Sequence, residues 1–280
     1  MRALVFVGAV LCFGWHLDLA NSHRDWCAIP YCANHSLRHI ACLNSGDFSE
    51  VYCHRRRLLT NMTNFRAYIL KMFNKMRNEV AGGWCVHLEP AVHMPELVWN
   101  TELELMAEYR VKYCREPPKD SCYAVCGANE PQPLIAEVNL SPAISNIYKG
   151  DQIIRFVQRW ISSLWELRRN DIRKYDAQDE PHRFIRPMAI GINEKNDQVG
   201  CSSAIDNDER VFRFQMICLF KMGPKHGDTI YKQGRFNHSR CKLGRSSQWL
   251  DLCRTEEKDH LQGIINIEGK PHRKPIEIEK

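Results

Sequence analysis

Cysteine placement constrains this chain more than any other feature. Of its thirteen cysteines, Cys12 lies in an apolar run, Ala3 to Trp15, that follows Arg2 and leads to the small and polar residues Ala20, Asn21 and Ser22. A basic start, a short apolar centre and a small-residue exit read as a secretory signal peptide, residues 1–22, with cleavage expected after Ser22. A membrane anchor needs about 20 apolar residues in a row, and neither this run nor any later segment supplies them. The twelve cysteines that follow are an even number in an oxidising compartment, where disulfides form and persist. Zinc is the weaker reading, because no paired Cys-x-x-Cys elements and no His-x-x-x-His spacing accompany them. Sequons at Asn34, Asn61, Asn139 and Asn237 fit the same compartment and predict solvent exposure at those positions, although Pro142 weighs against the third.

Composition divides the rest. Residues 23–57 are loop-rich and hold Cys27, Cys32, Cys42 and Cys53, with too few apolar residues for a core, so disulfides must tie them to something else. Residues 58–223 carry the periodic segments, residues 224–254 hold Cys241 and Cys253, and residues 255–280 form a charged tail expected to be weakly ordered. The net charge of +6 is mild and spread out. Its densest run, His54-Arg55-Arg56-Arg57, reads as a solvated linker before it reads as a contact for anionic glycans or membranes. Nucleic acid is no partner for an exported chain without a recognition motif.

Hydrophobic spacing predicts three helices in the middle zone. Phe65, Ile69, Met72, Met76 and Val80 share one face and stop at Gly82-Gly83. A second helix follows Trp99-Asn100, where Thr101-x-x-Glu104 matches a capping box and Leu103, Met106, Ala107 and Cys114 continue one side. Ile153, Val157, Trp160, Ile161 and Leu164 mark a third, flanked by Arg155 and Arg159. The period then changes. Met188, Ile190 and Ile192 alternate with Ala189 and Gly191, and Phe212, Phe214, Met216, Cys218 and Phe220 alternate with Arg213 and Gln215, which predicts strands. Helices first and strands later argue for an α+β fold.

The segments FNKMRNEVAGG, MPELVWNTELELMAEYRVKYC, VGCSSA and FRFQMICLF, in this order, resemble the CAP superfamily of cysteine-rich secretory, antigen 5 and pathogenesis-related proteins. The resemblance runs from about Trp26 to Cys253, and the N-terminal cysteines with Gly234 to Cys253 are most similar to the antigen 5-related proteins of insects, particularly flies. It implies an α-β-α sandwich of the CAP type, with a cleft lined by two histidines and two acidic residues that in some members holds a divalent metal. Aligned to this chain, Phe73 stands at the first histidine, Val138 and Ser163 at the acidic positions and Pro187 at the second histidine. Other gap placements bring Glu137, Glu166 or His182 near these positions, but no shift of one or two residues puts a histidine at Phe73. A metal needs several converging ligands, so the resemblance implies a degenerate cleft, with Phe73, Val138 and Pro187 forming an apolar plug or groove. It also implies disulfides Cys27–Cys42, Cys32–Cys122, Cys53–Cys114 and Cys201–Cys218. Local closure then favours Cys241–Cys253 and leaves Cys85–Cys126.

Three functions compete. One is a secreted, non-enzymatic protein that binds an extracellular protein partner, in a salivary or reproductive secretion such as insect relatives occupy. Another is a carrier of a small apolar ligand, a sterol or fatty acid, as for some family members. The third is a metal-dependent hydrolase. The absent histidines weigh against the last, as does the lack of a Gly-x-Ser-x-Gly or His-Glu-x-x-His frame. Gly200-Cys201-Ser202-Ser203 reads as a strand, so Ser202 is not a nucleophile. No catalytic residue and no cofactor are expected; Trp84, Trp99 and Trp165 are candidates for an exposed aromatic contact surface.

Overall fold

A computed structural model describes residues 25–54, 56–140, 149–179, 184–207, 212–235 and 240–255. The expectations for the signal peptide, for His182 and Asn237, and for residues 256–280 lie outside these.

The alternating segment around Phe214 forms a long strand because both of its faces are covered. Strands β2 (Arg56–Leu59), β3 (Val98–Trp99), β5 (Gln132–Leu140), β6 (Gln198–Asn207) and β7 (Phe212–Phe220) make one sheet in the order β2-β6-β7-β5, with β3 also on β6. β2 pairs antiparallel with Ala204 to Asn207 of β6, and β3 pairs parallel with Gln198 and Val199. Phe214, Met216, Cys218 and Phe220 of β7 enter a core shared with helices α2 (Thr63–Ala81), α4 (Lys149–Ser162) and α6 (Arg186–Gly191). Ile217 and Leu219 point the other way, under α3 (Thr101–Val111). Helices thus cover both sheet faces in an α-β-α sandwich. Gly200 permits the α3 side, since a Cβ there would lie 2.2 Å from Glu104 N and 2.5 Å from Asn100 O.

The three expected helices form, with two adjustments. α3 is capped by Asn100, whose Oδ1 accepts from the N–H groups of Glu102 and Leu103, instead of by Thr101. α4 ends in a 3-10 turn, Ser163–Glu166. The strand expected at Met188 to Ile192 is instead helix α6. Met188, Ala189, Ile190 and Gly191 are all buried, so polarity marks no face there, and Pro187 sits in the first turn, where its missing N–H costs nothing.

Two short helices, α1 (Pro30–Asn34) and α5 (Arg169–Arg173), complete the main elements, with a small parallel pair, β1 (Arg38–His39) and β4 (Ser121–Cys122). β2 begins at Arg56, so the N-terminal region runs into the main sheet. Disulfides join Cys27 to Cys42, Cys32 to Cys122, Cys53 to Cys114, Cys201 to Cys218 and Cys241 to Cys253. Each stabilises by about 2–4 kcal/mol. The expected Cys85–Cys126 bridge does not form, and both residues remain thiols. The sheet separates them: Cys85 packs in the α2 and α4 core, whereas Cys126 follows Val125 of the α3 core and donates its N–H to Glu102.

Candidate functional site

Helix α2 carries the residues that decide the site. Phe73 is fully buried and meets Phe220 edge-on, with ring centroids 5.1 Å apart. Gly191 of α6 makes room for it, because a Cβ there would lie 2.9 Å from Phe73 Cε1. Burying such a ring contributes about 1.5–3 kcal/mol. Ser163 is buried too; its hydroxyl donates to Trp160 O at 2.7 Å and accepts from Met188 N–H at 3.1 Å. It therefore satisfies an otherwise orphaned N–H in the first turn of α6. Pro187 is half-buried in that same turn, and Val138 is half-buried on β5 opposite Phe214, packed against the same core. Phe73, Ser163 and Pro187 thus gather around α6, and their one polar group is engaged. Of the alternative polar residues, Glu137 is exposed and accepts from Gln215, and Glu166 is exposed. Among the described residues, no three His, Cys, Asp or Glu side chains are placed to hold a metal ion.

One turn further along α2, the fully buried Arg77 donates to the carbonyls of Pro95, Gly191, Asn193 and Asn196 at 2.6–3.1 Å. Burial pulls its pKa down to about 9, opposed by the charge of Asp197. The guanidinium fork ties α2 to α6 and to the segment before β3. Asn74, the neighbour of Phe73, holds that segment as well: its amide donates to Leu97 O at 2.9 Å and accepts from Leu97 N–H at 2.7 Å.

On this other flank of α2 lies an open groove of about 1080 Å³. One wall is Ala67, Leu70, Lys71 and Asn74; the floor is residues 96–101 with Gln198; the far wall is Leu243, residues 245–249, Arg254 and Thr255. The Cys241–Cys253 disulfide loop is held there by backbone bonds from Cys253 N–H to Met94 O and from Glu96 N–H to Cys253 O. Glu96 fixes the far wall by accepting from Ser246 Oγ at 2.5 Å and from Thr255 N–H at 3.4 Å. Of the groove residues, the sequence points to Trp99 but not to Trp249, Arg245 or Arg254. Their approach to α2 depends on contacts about 150 residues apart in the chain, such as Ser246 to Glu96.

A family model described as "CAP: Cysteine-rich secretory protein family" matches residues 70–220, more than half of the 280 residues. The chain belongs to the CAP family. Venom allergen-1 of Aedes albopictus is 26% identical to it over 265 residues, covering 91% of this chain and 97% of that protein. The antigen 5 like allergen Cul n 1 of Culicoides nubeculosus is 27% identical over 188 residues, covering 66% and 82% respectively. Within that family the chain is similar to these insect venom allergen and antigen 5-like proteins. Among solved structures, BmVAL-1 superposes with a TM-score of 0.55 at 18% identity, over 69% of this chain and 95% of that one, which bears on the fold alone.

The surface of this CAP protein carries further features that the sequence drew attention to. Trp84 and Trp165 are 74% and 70% exposed, whereas Trp99 is half-buried and donates Nε1–H to Glu104. The sequon residues Asn34, Asn61 and Asn139 are all exposed. No described helix is long and apolar enough to cross a membrane.

Proposed function

We propose that this CAP protein is a secreted, non-enzymatic binding protein whose family cleft is degenerate and closed. The observation that carries this reading is Phe73, fully buried against Phe220 at the position where the family places a cleft histidine. Val138, Ser163 and Pro187 add no free ligand; Ser163 alone has a polar side chain, and its hydroxyl serves Trp160 and Met188. These residues do not fit a divalent metal, which needs several converging donors.

Function then falls to surfaces. The exposed Trp84 and Trp165 and the groove beside α2 supply contact chemistry of the kind that partners use, since tryptophan and arginine dominate binding hot spots. The setting in this reading is extracellular, a salivary or reproductive secretion; the relatives named as venom allergens support the extracellular part, and the five disulfides fit an oxidising compartment. Glycans on the exposed Asn34 and Asn61 belong to the same reading.

The carrier reading is disfavoured by the same packing. A sterol or fatty acid needs an apolar cavity, yet Phe73 fills its own site and the open groove is lined by Lys71, Glu96, Gln198, Arg245 and Arg254. Native mass spectrometry of the secreted, enzymatically deglycosylated protein separates the two. A bare polypeptide mass is expected; a co-purifying lipid-sized adduct would instead assign the carrier function.

A further inference from the structure

The groove beside α2 has a backbone edge as well as side chains. Val98 N–H donates to Asp197 O and Asn100 N–H to Val199 O, each at 2.9 Å, so Val98 and Asn100 face β6. Successive residues of a strand face opposite sides. Leu97 and Trp99 therefore present their N–H and C=O groups to the outer edge of β3, on the groove side. The Asn74 amide takes both groups of Leu97. Among the described residues, nothing takes those of Trp99. A strand edge with one backbone pair filled by a side-chain amide and the next left open is a place for an extended chain to add.

Charge says what kind of chain. Lys71 stands on one rim, and Arg245 and Arg254 on the other, all exposed. The acid among the lining residues is Glu96, and its carboxylate is already bonded to Ser246 and Thr255. Trp99 and Trp249 give the walls apolar surface between these charges. We infer that the groove between α2 and the Cys241–Cys253 loop binds an extended acidic peptide segment of a partner protein. The segment's backbone pairs with Trp99, and its carboxylates meet Lys71, Arg245 and Arg254. This deepens, and rests on, the reading of the protein as a binder.

Fluorescence anisotropy with a labelled octapeptide of alternating glutamate and valine tests it on the full chain, against a lysine-valine peptide of the same length. The glutamate peptide is expected to bind about tenfold or more tightly than the lysine peptide, with a preference that shrinks as salt rises. Lys71→Glu with Arg254→Glu should abolish that preference, and because both side chains are exposed the variant should melt where the native protein does. N-methylation of alternate peptide amides should weaken binding by about tenfold. Equal binding of the two peptides, or a preference surviving the double variant, would overturn the proposal; indifference to N-methylation would overturn the pairing with Trp99. The chain's own Glu256 and Glu257 directly follow Thr255 of the groove wall. Glu256→Lys with Glu257→Lys is expected to leave affinity unchanged, and about a tenfold gain would give the groove to the chain itself and refute a partner peptide. A lipid adduct in native mass spectrometry would strike the binder reading instead, without altering these peptide results.

Discussion

Phe73 and Asn74 are neighbours on one helix, yet they border regions of opposite character. On the Phe73 side the ring lies buried against Phe220 and Gly191, and the Ser163 hydroxyl is spent on Trp160 and α6. On the flank lined by Leu70, Lys71 and Asn74, a groove of about 1080 Å³ stays open because its far wall comes from a distant disulfide loop. One region consists of side chains whose contacts are complete. The other keeps exposed cations and, among the described residues, the open backbone pair of Trp99 beside the filled one of Leu97. The contrast teaches that one helix can border a packed interior on one flank and an open groove on the other.

The largest expected effects are at Phe73 and at Arg77, which ties α2 to α6 and to the segment before β3. Arg77→Met takes the guanidinium from the carbonyls of Pro95, Gly191 and Asn196, leaves Asn193 O with Asn196 N–H alone, and should destabilise by roughly 3–5 kcal/mol, read by urea unfolding. A loss within the range of a surface change would mean these elements are not joined through this residue. Phe73→Ala and Lys71→Ala sharpen the contrast next. The first empties a packed site at a cost of roughly 3–5 kcal/mol, and the second, on an exposed rim, should stay within about 0.5 kcal/mol. Similar losses for both would erase the distinction.

Cys85 probes the sealed core by pH. Burial, and the nearby Glu79 carboxylate, push its thiol up to about 11. A raised acid is held neutral by the fold, so its stabilising contribution is complete below the ordinary thiol value and is lost as pH rises through about 11. Tyr231 is shifted upward by burial too and adds slope of the same sign. Comparison with Cys85→Ala isolates the thiol: alkaline stability should fall more steeply in the native chain than in the variant. Equal slopes would place the thiol in contact with water.

How much of this was readable beforehand follows the range of the interactions. Local periodicity marked α2, α3, α4 and β7, because a buried face leaves its spacing in the sequence. It misread α6, where Met188 to Gly191 are buried throughout and alternation carries no information about sides. The motifs FNKMRNEVAGG and VGCSSA marked the family because their residues have fixed tasks: Arg77 binds four carbonyls, and Gly200 admits α3. Pairing the last two cysteines by elimination failed, since Cys85 and Cys126 lie on opposite faces of the sheet. The groove was invisible because Glu96 meets Ser246 only through the tertiary fold.

Calorimetric titration of the disulfide-intact protein with zinc tests most directly the proposal that the family cleft is closed and takes no metal. No stoichiometric binding heat is expected. A tight site of one zinc per chain would contradict it and would require ligands to converge where Phe73 now packs against Phe220.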